Sequence, residues 1–138
     1  MLNCKLNYGE HIIRAADKAA IVVATLGTLM AYVNDPRPCT RLINICAADA
    51  VMLYGVEIWA KALRKEKYRK RIAAVQRWGA HRIASSYCTV SESAVVVVAG
   101  VIPIDLLAWE RLFVHQQRSV LGKEEASRLS RSTSIEIW

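Results

Sequence analysis

Apolar side chains return at alternating steps of four and three near the start of the chain: Ile12, Ala16, Ala19, Val23, Leu26, Met30 and Val33. Steps of that size hold side chains on one face of a helix. Residues 7–33 are therefore expected to form a long amphipathic helix, opened by a capping box of Asn7 and Glu10. The stretch NDPRP, residues 34–38, ends it. Gly27 inside it weakens it by about 1 kcal/mol relative to Ala. A second apolar helix is expected over 39–60, with Leu42, Cys46, Ala50 and Leu53 on a shared face and Asp49 at its surface. A third is expected over 61–86. At 100° per residue, Tyr68, Ile72, Val75, Gly79 and Ile83 fall on one side and Lys67, Lys70, Arg77 and His81 on the other. Arg64, Arg71, Trp78 and Arg82 share a flank of the same helix.

Four consecutive valines, Val95–Val98, lie in YCTVSESAVVVVAGVIPI, residues 87–104. Their flanks carry helix punctuation. Thr89 and Glu92 have the spacing of a capping box, and Gly100 stands where a helix commonly ends in a left-handed residue. Pro103 suits the first turn of a following helix, with Asp105 near its positive end. A short buried helix over 90–99 is the expected element, with a buried strand as the competing reading of an apolar run this short. Residues 103–121 read as a further helix with Leu106, Phe113, Gln117 and Leu121 in register, and the tail GKEEASRLSRSTSIEIW as partly helical and then frayed. Few Gly and Pro residues agree with helices throughout. The expectation is an all-α, irregular bundle of about five helices in two parts, 1–86 and 87–138, the second with a partly disordered tail.

Charge changes this picture locally. The chain of 138 residues carries a net charge of +7, yet residues 61–82 hold nine basic residues and one acid, Glu66. The rest is close to neutral. A positive field confined to one segment implies a local anionic partner. With 54% hydrophobic and 22% charged residues, most of the chain is expected to fold. The longest weakly polar run, residues 19–33, has 15 residues, short of the roughly 18–20 that cross a bilayer. No signal peptide opens the chain, and an intracellular place, nuclear or cytoplasmic, is expected.

Chemistry is sparse. Cys4, Cys39, Cys46 and Cys88 form no CxxC pair, and no His lies at a ligand spacing from them, so reduced, buried thiols are expected rather than a zinc site. His11, His81 and His115 lack the surroundings of a catalytic base. Asp17, Asp35, Asp49 and Asp105 stand too far apart in sequence to pair around a divalent ion. Tyr54, Trp59, Tyr68 and Trp109 are expected to pack at helix ends.

Three stretches carry a likeness: YGVEIW, then AAVQRWGAHRIASSYCTVSESAVVVVAGVIPIDLLAWER, and at the start LNCKLNYGEHIIRAADKAA. Together they resemble the reverse transcriptase polyproteins of arthropod non-LTR retrotransposons, over the thumb and the connector beyond it. The likeness runs from about residue 2 to the last. Cys88 and Trp78 stand where the family commonly has Arg, Ser93 where it has Pro, and Cys4 near a usual Asp. Losing two positive charges weakens the expected grip on nucleic acid. The resemblance implies a fragment of an RNA-directed DNA polymerase whose Mg-dependent palm, with its Tyr-x-Asp-Asp pair, lies outside this chain. The fragment itself is then expected to have no catalytic residues, metal or cofactor. Its partners would be RNA, DNA or their hybrid, besides the missing palm, and no membrane. The resemblance directs attention to Arg64, Lys67, Lys70, Arg71, Arg77, His81 and Arg82 as phosphate contacts, and to Trp78 as a stacking platform. The apolar end, IEIW, fits a piece of a longer polypeptide. Two other readings remain at this point: a small helical protein-interaction module, and a membrane-associated protein using residues 19–33 and 94–104.

Overall fold

A computed structural model of the chain describes residues 8–31, 37–84 and 89–138, the side chains of 29–31 and 38 excepted. Every regular element among them is helical: α1 (Tyr8–Ala31), α2 (Pro38–Met52), α3 (Val56–Trp59), a 3₁₀ turn (Ala60–Arg64), α4 (Glu66–Ala84), α5 (Glu92–Ala99), α6 (Ile104–Leu121) and α7 (Lys123–Ile137). The all-α expectation holds, with seven α-helices among the described residues in place of about five.

α1 buries the face its spacing marks. Ile12, Ala16, Ala19 and Val23 are all inside, against α2 and α4. The expected cap at Asn7 and the last position of the stripe, Val33, lie outside the described residues. α2 opens with Pro38 in its first turn, where a missing N–H costs nothing. Its buried row is Ile45, Ala48 and Met52; of the expected face Leu53 is buried, while Leu42, Cys46 and Ala50 face outward, contrary to expectation. Both rows of α2 are apolar, so periodicity could not choose between them. Gly79 decides the matter from across the interface. A Cβ there would lie 3.1 Å from Ile45, so its absence lets Ile45 seat directly on α4.

The expected helix over 39–60 is broken. Leu53 closes α2 with its N–H on Asp49 O at 2.8 Å, and Gly55 turns the chain with φ +65°. That left-handed backbone is costly for residues with a Cβ. α3 and the 3₁₀ turn then run in a new direction. Trp59, almost wholly buried, donates its indole N–H to Tyr54 O at 3.0 Å. Tyr54 itself is exposed rather than packed, and Trp109 is partly exposed, whereas Trp59 and Tyr68 do pack in the core. Lys65, in extended backbone, separates the 3₁₀ turn from α4, which starts at Glu66 instead of 61.

The valine run is helical. Val95 and Val96 point into a small core with Ile45, Ala80 and Val101, while Val97 and Val98 are exposed. Ser91, not Thr89, occupies the N-cap, and no side chain caps this end. Gly100 ends α5 with φ +68°, its N–H on Val97 O at 3.0 Å and the Val101 N–H on Val96 O at 3.1 Å. This crossed pair is the Schellman arrangement, and the accompanying apolar contact is Val101 with Val96. No atom lies within 4 Å of a Cβ built on Gly100. Gly100→Ala is therefore expected to cost about 1 kcal/mol from backbone strain alone, seen as a lowered urea midpoint at unchanged slope. An unchanged midpoint would contradict the left-handed assignment.

α6 begins at Ile104, with Pro103 just before it rather than inside it. It buries Ile104, Ala108 and Leu112 in the main core beside residues of α1, α2, α3 and α4. The expected row through Leu106, Phe113 and Gln117 is only half-buried, and Leu121 is exposed. The tail does not fray. Gly122 reverses the chain, and α7 runs back along α6 to Ile137. Small residues at every fourth place, Ala126, Ser130 and Ser134, let the two helices approach closely. Arg131 then pairs with the buried Glu110 at 2.9 Å, and Ser130 Oγ donates to Glu110 O at 3.3 Å.

Candidate nucleic-acid interface

α4 carries the charge because its two faces differ so sharply. Ile72, Val75, Gln76, Gly79 and Ala80 are buried, and Tyr68 and Ile83 are half-buried. The opposite crest bears Lys67, Lys70 and Arg77, all exposed, with His81 half-buried behind them. Lys67 and Arg77 make no ion pair with any described residue. Lys70 Nζ lies 2.8 Å from Glu66 one turn earlier. That hydrogen bond, with the Lys70 charge, holds the Glu66 carboxyl below its usual range. Both groups are well exposed, so the pair competes weakly with a phosphate for Lys70.

The exposed flank residues Arg71 and Arg82 also make contacts within the fold. Arg71 forms an ion pair with Asp17 of α1. Arg82 lies over the Trp78 ring, 4.9 Å from its centroid, and its guanidinium also fills the space a side chain on Gly27 would need. Gly27 is thus the point where α1 admits a charged side chain from α4. Trp78 is 40% exposed, and Arg82 already covers one face of its indole. Arg64 does not share this flank. It ends the 3₁₀ turn, and the extended backbone of Lys65 breaks the helical register that would have joined it to Arg71. Its neighbours are Trp109, Phe113 and Ile137, in a groove of about 400 Å³ between α6 and α7.

A larger groove, about 770 Å³, runs beside the crest, with Arg69, Lys70 and Arg77 on one wall and Glu92, Asp105 and Trp138 among its other lining residues. Acids on the far side repel phosphate. The favourable path for a polyanion therefore follows the outer crest of α4 and does not enter the groove. Arg69, absent from the candidates chosen by sequence, belongs to this edge. Its place at the boundary between the two faces hid it.

The sequence did not mark two inward-facing acids, Glu110, which pairs with Arg131, and Asp49. Asp49 is not at the surface: it faces inward from α2 toward Gln76 of α4 and Arg111 of α6, with Oδ1 unpartnered. Burial pushes its carboxyl up to about 7, while the Arg111 charge and a Gln76 hydrogen bond pull the other way. Gln76 also donates to Ile102 O at 2.9 Å and accepts from the Ile104 N–H at 2.8 Å. The signal was present in the sequence, since Gln76 sits among Ile72, Val75 and Gly79 on the apolar face. The thiols of Cys39 and Cys46 are exposed rather than buried, and neither is in a disulfide. Among the described residues no group of three or more His, Cys, Asp or Glu side chains could hold a metal ion, and no single helix is long and apolar enough to cross a membrane. No protein family, curated protein or solved structure matches the chain.

Proposed function

We propose that this chain is the thumb and post-thumb connector of an RNA-directed DNA polymerase of the non-LTR retrotransposon type. It carries no catalytic centre of its own and holds RNA, DNA or their hybrid without regard to sequence. Lys67, Lys70 and Arg77 supply the grip, with Arg69 at their edge. One observation supports this reading above others: three cations on a single exposed crest of a helix whose other face is anchored in the core. Such a crest can follow a sugar–phosphate backbone while the duplex slides, because phosphate contacts fix position without reading bases. Arg71 and Arg82 take a supporting part, holding α4 against α1.

Fluorescence anisotropy with a short labelled RNA–DNA hybrid tests the proposal. Binding is expected at low salt, equal for two unrelated sequences, and to fall steeply between about 50 and 200 mM salt as counterion release loses its advantage. The triple variant Lys67→Glu/Lys70→Glu/Arg77→Glu is expected to bind at least about tenfold more weakly, with a shallower salt slope. The same change at Lys123, Arg128 and Arg118 should matter little. Equal affinity of the triple variant and the natural chain would refute the site. Binding that survives high salt would instead favour apolar association with a protein partner.

A further inference from the structure

The groove between α6 and α7 differs from the one beside the crest of α4. Its lining is mainly apolar, with Leu106, Trp109, Phe113 and Ile137, and Lys61 and Arg64 of the 3₁₀ turn join it. Trp109 is 38% exposed and Phe113 half-buried, so both rings are partly open to a ligand. They stand four residues apart on α6 and therefore share one face of that helix. Lys61 and Arg64 are exposed, and neither makes an ion pair with a described residue. The one acid among the described lining residues, Glu110, is buried and held by Arg131 at 2.9 Å, its other oxygen shut off from solvent. No free carboxylate among them opposes a phosphate, in contrast to Glu92 and Asp105 in the groove beside the crest.

Aromatic faces beside cations, with no competing acid, suit a ligand that joins flat rings to phosphates. Single-stranded nucleic acid is such a ligand: its backbone follows the cations, and its bases stack on the rings whatever their identity. A duplex does not fit, because its bases already stack on one another and packed helices such as α6 and α7 have axes only about 8–10 Å apart. The position of the groove in the chain supplies a route to it. Arg64 lies three residues before Lys67, where the crest of α4 begins, so no more than about 11 Å separates their Cα atoms. Lys61, Arg64, Lys65 and Lys67 are all exposed along this stretch. We propose that the α6–α7 groove binds the unpaired nucleotides of a strand running on from the duplex, with Arg64 and Lys61 on its phosphates and Trp109 and Phe113 against its bases. The proposal rests on the reading of the α4 crest as the duplex grip, and it gives Arg64 a part away from the flank of α4. Stacking is indifferent to base identity, so the site adds a preference for strand form and none for sequence.

Anisotropy titrations compare a blunt RNA–DNA hybrid with the same hybrid bearing a single-stranded extension of about six nucleotides. The extension is expected to tighten binding at least about tenfold. Trp109→Ala should remove that gain and leave affinity for the blunt hybrid unchanged. A gain that survives Trp109→Ala would come from the added phosphates alone and would overturn the site. Equal affinity of the natural chain for both probes would overturn the groove and leave the crest standing. Binding of the extended hybrid and of a bare single strand, without binding of the blunt hybrid, would leave the groove and overturn the crest. No binding of any probe would overturn both. Location is read on the natural chain, with no substitution. Iodouracil placed in the extension and irradiated in the complex is expected to attach to Trp109 or Phe113, identified by mass spectrometry of the digest. Attachment at Trp78 or Trp138 in their place would overturn the assignment.

Discussion

Gln76→Leu is expected to lower the unfolding free energy by about 3–5 kcal/mol, a large fraction of the roughly 5–15 kcal/mol that holds a domain of this size together. The substitution keeps the volume and loses every hydrogen bond. Gln76 is almost fully buried, and its amide accepts from Ile104 N–H and donates to Ile102 O, the two backbone groups that bracket Pro103. Pro103 has no N–H, so the turn between α5 and α6 has few donors of its own. The same side chain also bonds Asp49. Leu at 76 leaves a carbonyl, an amide and a carboxyl buried without this partner, each costing about 1–3 kcal/mol with some relief from relaxation. Urea denaturation followed by circular dichroism measures the change directly. Gln116→Leu, at an exposed place on α6, serves as the control and should stay within about 0.5 kcal/mol of the natural chain. A Gln76→Leu protein as stable as the control would show that the three helices are held by apolar contact alone.

The hydrogen bonds of Gln76 to the turn between α5 and α6 mark the boundary of what the chain discloses in one dimension. α1 was legible because only one of its faces is continuously apolar. The helix over the four valines was legible because Gly100 punctuates it, and burial of Val95 and Val96 beside Ile45 and Ala80 outweighs the β preference of valine. α2 was not legible in the same way: with an apolar row on both sides, only contact with Gly79 selects the inner one. The break at Gly55 and the extended Lys65 shifted the frame of everything between them, which is why Arg64 was placed on a flank it does not share. α7 looked frayed because its buried row is Ala126, Ser130 and Ser134, small and partly polar residues that score as solvent-facing. Their value lies in close approach to α6, which no hydropathy pattern registers.

The candidate interface divides along the same line. The crest of Lys67, Lys70 and Arg77 follows from helical spacing alone. The commitments of Arg71 to Asp17 and of Arg82 to Trp78 and the Gly27 gap depend on α1 crossing α4, a tertiary fact. A charge count over residues 61–82 therefore overstates the positive surface open to a polyanion.

Asp49→Asn is expected to make the protein more stable at pH 8 by about 2–4 kcal/mol and to leave it nearly unchanged at pH 4. In the unfolded chain Asp49 titrates near its ordinary value of 3.8, and in the folded chain near 7. Between those limits the folded state holds a proton that the unfolded state has released. Stability from this group is thus fully present below about pH 4, declines as pH rises toward 7, and is lost above it. The cause is burial: α2 carries the carboxyl into a place where Arg111 and the Gln76 amide compensate only part of its desolvation, and Oδ1 finds no donor. Asn keeps the shape of the protonated carboxyl and cannot ionise, so the variant should show a flat profile over the window in which the natural chain weakens. Urea midpoints at intervals from pH 4 to 8, for both proteins, test this. Parallel profiles would mean that Arg111 and solvent stabilise the carboxylate fully, and that its burial carries no energetic consequence. If the profiles diverge as expected, the combined Gln76→Leu/Asp49→Asn variant should be less destabilised at pH 8 than Gln76→Leu alone, because neutral Asn removes the buried charge that Gln76 helps to hold.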